Sequence, residues 1–336
     1  MYFLLSLLIS IPLHPTSNPN LCVDIPSGKI VNGAKLQLWN CNGSPAQDFT
    51  AGTTPVSVNV NEPSSAPSNV VGNVSSNLID TSTPSKDGYH VAFSDEFNGA
   101  KLDLTKWNLA CDGSGGGNNE LEYYLPFPAN HFLSNGALTI RVIKQPFLGQ
   151  QYTSAKLTTL GIFDFTYGWI EGRIKVPSGQ GLWPAFWTLP KDNLYGQWPT
   201  SGEIDVMEIL GGTPGKLYGT AHFGPAWPNQ KQLGGTMTAT PGTDYSQDFH
   251  IYAVDWQPDH MDFYLDGTKY FTMAKTDGDW QTGNQGATPS ADGWPFNIPN
   301  YVILNMAMGG QWPGNPDPSI TQGDLVVDYV RIYSKD

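Results

Sequence analysis

The run Met261-Asp262-Phe263-Tyr264-Leu265-Asp266-Gly267-Thr268-Lys269-Tyr270-Phe271-Thr272-Met273 reads as two short strands around a two-residue turn. Its flanks are rich in aromatic residues, which suit a pleated, half-buried surface. Asp266-Gly267 supplies the two residue types that tolerate positive φ at both central positions of a type I′ hairpin turn. Working outward, Ala137–Val142, Tyr167–Val176, Phe249–Trp256, Tyr301–Met306 and Leu325–Tyr333 have the same strand character, with turn signals between them. No long stretch holds a helical period. An all-β fold is expected: a two-sheet antiparallel sandwich whose long strands curve and leave one sheet concave towards a ligand.

Composition narrows the partner. Of 336 residues, 17 are Lys or Arg and 30 are Asp or Glu, a formal net charge of -13. A chain this acidic is poorly suited to nucleic acid or to an anionic membrane, and neither is expected as a partner. Aromatic residues make up 12% and charged residues only 14%, so polarity rests mainly on Gly, Asn, Ser, Thr and Gln. That balance favours sheets and contacts with a neutral, hydroxyl-rich ligand.

The N-terminal third reads differently from the rest. Tyr2–Leu13 is an apolar run followed by His14-Pro15-Thr16-Ser17, long enough for the core of an export signal and too short to span a bilayer. No Lys or Arg precedes it, so residues 1–17 are either a signal peptide or a truncated start. Cys22 and Cys41 lie close together while Cys111 stands far away, which reads as one local disulfide and one free thiol in a secreted chain. Residues 51–86 are rich in Ser, Pro, Thr, Asn and Val without an apolar period and read as a linker. One large block follows, from residue 87 to 336, and a monomer is expected.

Within that block, Gly202-Glu203-Ile204-Asp205-Val206-Met207-Glu208-Ile209 places three carboxylates in an otherwise apolar strand. Side chains alternate across a strand, so Glu203 and Asp205 share a face and Glu208 falls on the other. One extra residue, a β-bulge at Val206-Met207, would return Glu208 to the face of the other two. Glu203 and Glu208 would then lie about 13 Å apart at Cα, at roughly 3.3 Å per residue. Side chains leaning together could bring the carboxyls to about 5–6 Å, near the spacing of retaining glycosidases. Trp183-Pro-Ala-Phe-Trp187, Tyr195-Gly-Gln-Trp198-Pro199 and Gly309-Gly-Gln-Trp312-Pro-Gly314 set indoles beside Gly or Pro, a composition fit for loops that stack on sugar rings. Gly113-Ser-Gly-Gly-Gly117 has no following Lys or helix and is no phosphate cradle. The six His show no metal-ligand spacing.

On these residues the block resembles family 16 of the glycoside hydrolases, in its bulge-containing, laminarinase-like branch. The core pattern Glu-Ile-Asp-x-x-Glu is met by Glu203 to Glu208. Supporting matches are Phe93-Ser-Asp-Glu-Phe-Asn-Gly99, Asn118-Asn-Glu-Leu-Glu-Tyr-Tyr124, Tyr152-Thr-Ser-Ala155, Gly219-Thr-Ala-His222 and Val327-Asp-Tyr-Val-Arg331. The resemblance implies a β-jelly roll of concanavalin A-like type and a retaining endo-glycosidase acting on β-1,3 or mixed β-1,3-1,4 glucans. It implies Glu203 as nucleophile, Asp205 as its helper, Glu208 as general acid and then base, and His222 in support. Asn119, Trp183, Trp187, Trp198, Asn305 and Trp312 would contact sugars. No cofactor is implied for catalysis. A structural calcium is, with Glu96, the carbonyl of Gly136 and Asp328 at the ligand positions. One departure is Lys156, where the family commonly has Arg, since an ammonium cannot make the same forked contact.

Residues 18–50, with Asp24, Gln37-x-Trp39, Asn42 and the Cys22/Cys41 pair, resemble one repeat of a ricin-type lectin. A trefoil closes its core from three such repeats, so one alone is a fragment or a remnant. A glucan-recognition protein that binds without cutting and a transglycosylase remain the competing readings. The binder typically lacks a catalytic Glu, and both are present. Sulfated galactans would favour a basic cleft, which this acidic chain does not suggest.

Overall fold

The computed structural model describes residues 84–225, 228–277 and 293–335, together with the backbone of the strands β1 (Leu21–Asp24) and β2 (Gln37–Asn40). The chain divides into two compact units, Met1–Gly72 and Asn73–Asp336, and the division falls inside the stretch read as a linker. In the first unit β1 and β2 pair antiparallel, Cys22 opposite Trp39. The side chains of Cys22 and Cys41, the lectin-like contacts, the apolar start and the linker through residue 83 lie outside the described residues.

In the second unit every regular element among the described residues is a strand. In chain order they are β3 (His90–Asp95), β4 (Asn108–Leu109), β5 (Glu122–Tyr124), β6 (His131–Ser134), β7 (Ala137–Ile143), β8 (Tyr152–Ser154), β9 (Lys156–Thr158), β10 (Gly168–Lys175) and β11 (Leu182–Pro190). There follow β12 (Glu203–Ile209), β13 (Lys216–Phe223), β14 (Lys231–Thr238), β15 (His250–Trp256), β16 (His260–Leu265), β17 (Thr268–Ala274), β18 (Asn300–Met308) and β19 (Gln322–Ser334). They form two sheets. One runs β14-β13-β12-β11-β18-β9-β4; the other runs β17-β16-β15-β10-β19-β7-β8-β5, with β3 also on β19 and β6 on β7. The expected two-sheet sandwich is thus present. All its ladders are antiparallel except β5 on β8, which is parallel and was not foreseen.

The opening hairpin forms as the turn chemistry requires. β16 and β17 close with Leu265 opposite Thr268, and Asp266 and Gly267 both take positive φ, 49° and 76°.

Packing follows period-two alternation. On β11, Leu182 and Phe186 enter the core while Trp183, Ala185 and Trp187 face outward to a cleft. On β18, Val302, Leu304 and Met306 are core, and Tyr301 and Asn305 face the cleft. Fully burying each of these aliphatic side chains stabilises the fold by roughly 1.5–3 kcal/mol. The largest buried indoles also satisfy their N–H groups: Trp107 on Asp95 Oδ2 at 2.9 Å, and Trp256 and Trp294 on the Phe296 carbonyl at 3.1 Å. A rigid inner layer therefore fixes the register of the seven-stranded sheet that carries the cleft.

Candidate active site

The cleft, of about 650 Å³, lies across the outer face of the seven-stranded sheet and includes Glu203, Asp205 and Glu208 of β12. The bulge that the sequence requires is there. Against β13, Asp205 pairs with Thr220 and Glu208 with Tyr218, so three residue steps on one strand match two on the other. Against β11, Met207 pairs with Phe186 and Asp205 with Trp187, which leaves Val206 as the extra residue. Val206 and Met207 are both buried in the core with Ile204 and Ile209. Their burial is what holds the kink, and the kink is what turns Glu208 to the same face as Glu203.

Each carboxyl meets different donors. Trp198 Nε1 donates to Glu203 Oε2 at 2.8 Å, and Trp183 Nε1 donates to Glu208 Oε1 at 3.1 Å. His222, opposite Glu203 in the β12–β13 ladder, brings Nε2 to 3.2 Å from Asp205 Oδ2 and 3.8 Å from Glu203 Oε1. Burial, then repulsion from Asp205, pushes the Glu203 carboxyl up to about 8, against the pull of His222, the Trp198 indole and Lys156. Burial pushes Asp205 up to about 8, opposed by its hydrogen bond with Glu203. Glu208 is pushed well above the carboxylate range by burial, then by the charges of Asp205 and Glu203, with His222 and Trp183 opposing. The cluster therefore holds protons rather than three negative charges. The distribution of charges decides where the anion sits best: each of Glu203 and Glu208 has an indole donor and the pull of His222, but Glu203 alone has the field of the Lys156 ammonium and meets one neighbouring acid, whereas Glu208 meets two. An anion at Glu203 beside a proton on Glu208 is the division of labour that acid-assisted displacement needs.

Residues 83–331 match the family model of glycosyl hydrolases family 16. The chain belongs to that family. It is 37% identical over 269 residues to the glucan endo-1,3-beta-glucosidase A1 of Niallia circulans, a match that spans 75% of this chain and only 39% of that longer protein. It is 37% identical over 258 residues to the beta-glucanase of Rhodothermus marinus, spanning 73% of this chain and 85% of that one. The X-ray structure of the laminarinase from Rhodothermus marinus aligns with a TM-score of 0.65 at 36% identity, covering 73% of this chain and 97% of that one.

The sugar-contact residues expected of a family 16 chain are placed unevenly. Trp183, Trp187, Trp198 and Asn305 line the cleft. Trp312 is 39% exposed and packs edge-on against Trp183 and Tyr218, with ring centroids 5.2 and 5.0 Å apart, so it extends the aromatic wall. Asn119 is exposed, in a left-handed conformation (φ 58°), and it is its neighbours Asn118 and Glu120 that line the cleft. Lys156 lines the cleft as well, its ammonium over the Trp187 ring at 5.1 Å and the Tyr124 ring at 5.8 Å. Period-two alternation in Glu120-Leu-Glu-Tyr-Tyr124, a stretch that the family match marks without assigning a face, puts Glu120, Glu122 and Tyr124 on one side.

Glu96, Gly136 and Asp328, the positions expected to hold calcium, sit on the other sheet and its turns. Arg331 holds both oxygens of Glu96, at 3.1 and 2.7 Å, and Arg173 holds Asp328 Oδ2. The Glu96 carboxylate is thus committed to a guanidinium and does not fit as a ligand. A contribution from Glu96 would have to come from its main-chain carbonyl, alongside that of Gly136. Cys111 is free and exposed.

Proposed function

We propose that the chain is a retaining endo-hydrolase of β-1,3-linked glucans, secreted and monomeric, that cleaves by double displacement. The observation that carries this reading is the bulge at Val206, which gathers two carboxyls, each held by an indole N–H, on one face of an aromatic cleft. In the first step the Glu203 carboxylate attacks the anomeric carbon while Glu208 gives its proton to the departing oxygen, leaving a glycosyl ester on Glu203. In the second, Glu208 takes a proton from water, which attacks the same carbon and releases Glu203. Asp205, hydrogen-bonded to Glu203 and close to His222, holds the nucleophile in place through both steps. Trp183, Trp187 and Trp198 offer indoles for stacking on sugar rings, and a net charge of -13 suits an uncharged polymer. Reducing-sugar release from laminarin by the wild type, lost in Glu203→Gln, tests the reading. Equal release from both proteins contradicts it, and release from neither points to a glucan binder.

The N-terminal segment belongs to the same proposal: residues 1–17 direct export, residues 18–50 form a lectin-like fragment and residues 51–86 tether it to the hydrolase. A structural calcium held by Asp328 and the main-chain carbonyls of Glu96 and Gly136 is part of it too, the oxygen donors that suit this ion. Millimolar calcium is expected to raise Tm by a few degrees, and EDTA to reverse the gain, because an ion that binds only the folded state stabilises it by mass action. An unchanged Tm in both would remove calcium from the account.

A further inference from the structure

The six His have no metal-ligand spacing in sequence, yet strand pairing supplies what spacing lacks. His222 stands directly opposite Glu203 in the β12–β13 ladder, and Asp205 follows two residues on, on the face of Glu203. Trp198 occupies Glu203 Oε2 and leaves Oε1 facing His222, whose Nε2 lies 3.8 Å from it and 3.2 Å from Asp205 Oδ2. These atoms, one nitrogen and two oxygens, fall within 4.8 Å of one another, and among the described residues no other three His, Cys, Asp or Glu side chains converge in this way. Asp205 is 3% exposed, and its Oδ2 is buried with no hydrogen bond on it, although the His222 ring lies beside it. Such an oxygen is costly to bury, and a cation next to it removes the cost.

The spacing selects an ion. A tetrahedral ion with ligands at about 2.0–2.2 Å keeps them roughly 3.3–3.6 Å apart from one another, and the two separations from His222 straddle that range. The terminal carboxyl torsions are soft, so small rotations bring Glu203 and Asp205 the rest of the way. One imidazole with two carboxylates suits zinc or copper(II), whereas calcium takes six to eight oxygens and magnesium dehydrates reluctantly. All three donors stand on paired strands, so little freedom is lost in ordering them. Glu203 and Asp205 line the cleft, which gives an ion a way in and leaves its fourth position to water.

We infer that Glu203 Oε1, Asp205 Oδ2 and His222 Nε2 form a binding site for a divalent ion of the zinc class, and that the bound ion inhibits by taking the Glu203 carboxylate away from the sugar. Binding is independent of the glucanase reading. Inhibition rests on it, since an ion and an anomeric carbon cannot share the Glu203 carboxylate. Zinc therefore competes with laminarin, raising the apparent KM and leaving kcat unchanged.

Calorimetric titration of the full chain with zinc chloride tests the site, in a Cys111→Ser background that removes the exposed thiol as a rival soft donor. His222→Gln and Asp205→Asn should each weaken one zinc site at least about tenfold, since even a partner that only orients a ligand is worth about 10–100-fold in affinity. His250→Gln and His260→Gln should leave that site unchanged, because each of these histidines pairs with a single carboxylate, Asp266 or Asp259. Cobalt(II) chloride added to the same chain should give the strong visible absorption of a tetrahedral ion. Melting curves verify that each variant is folded. A chain that takes up no zinc, zinc binding that survives both His222→Gln and Asp205→Asn, binding lost instead in His250→Gln or His260→Gln, or a spectrum no stronger than that of aqueous cobalt overturns the site. Zinc should also slow reducing-sugar release from laminarin in the competitive pattern, with EDTA restoring it, and a fall in kcat at unchanged KM overturns the inhibitory role. If the metal-free chain releases nothing from laminarin, the hydrolase reading fails by itself, and the calorimetry still decides the site.

Discussion

Glu203→Gln is expected to lower kcat on laminarin at least about 10⁴-fold, or ~5.5 kcal/mol of barrier at 1.36 kcal/mol per tenfold. The amide keeps the shape of the carboxyl, and its oxygen can still accept the Trp198 indole that now donates at 2.8 Å. What it loses is the nucleophile, and with it the covalent intermediate. A sharper form of the same experiment empties the space. In Glu203→Gly, added azide should attack the anomeric carbon from the vacated face while Glu208 protonates the leaving oxygen, giving an α-glycosyl azide. Rescue that yields the β-azide, or no rescue from a well-folded variant, would assign the attack to another residue.

Glu208→Gln is expected to separate the two steps. On laminarin, loss of the acid should cost about 10²–10⁴-fold, the usual contribution of general acid catalysis. On a dinitrophenyl β-glucoside of laminaribiose the departing phenolate needs no proton, so the first step should run near the wild-type rate. The second step, deprived of its base, should stall and leave a burst of phenolate equal to the enzyme present. Equal loss on both substrates, without a burst, would contradict the role of Glu208. The same substitution bears on stability. A carboxyl whose pKa is higher folded than unfolded stabilises the fold fully below its unfolded value, and that contribution is lost as pH rises through the folded value. For this cluster the loss begins near 4.5, the ordinary value for Glu, and runs through about 8, the value to which Glu203 and Asp205 are pushed. Glu208→Gln should therefore leave Tm nearly unchanged at pH 4 and raise it by roughly 3–6 °C at pH 8, corresponding to about 1–2 kcal/mol. A Tm gain that shrank as pH rose would reverse the sign of the argument.

The contrast between what the sequence reveals and what it conceals is physical. Turn residues and the face count at Val206-Met207 are local, and each reappears: the Asp266-Gly267 turn and the bulge that returns Glu208 to the face of Glu203, although both bulge residues enter the core where one was expected. Trp183–Trp187, whose Pro suggests a loop, lies instead in β11, because Leu182 and Phe186 anchor that stretch in the core. The trio Glu203, Asp205 and Glu208 is legible because carboxylates in an apolar strand are costly without a use. The Tyr124–Asn305 bond joins residues 181 apart in the chain, and no local pattern announces it. The family resemblance points to Asn119, whereas Asn118 and Glu120 line the cleft and the left-handed turn at Asn119 leaves that residue exposed. The parallel pairing of β5 with β8 escaped for a related reason: it links strands across an excursion rather than a hairpin. The guanidinium on Glu96 comes from Arg331, 235 residues away, which is why a ligand position could be matched while its carboxylate was already taken.

The central claim is that the bulge sets Glu203 and Glu208 at the spacing for double displacement, and the stereochemistry of the first product tests it most directly. Proton NMR of laminari-oligosaccharide cleavage, followed from the first minute, should show the β-anomeric signal of the new reducing end rising first and the α signal growing later by mutarotation. An α signal that leads would mean direct attack by water, and would contradict the nucleophilic role of Glu203.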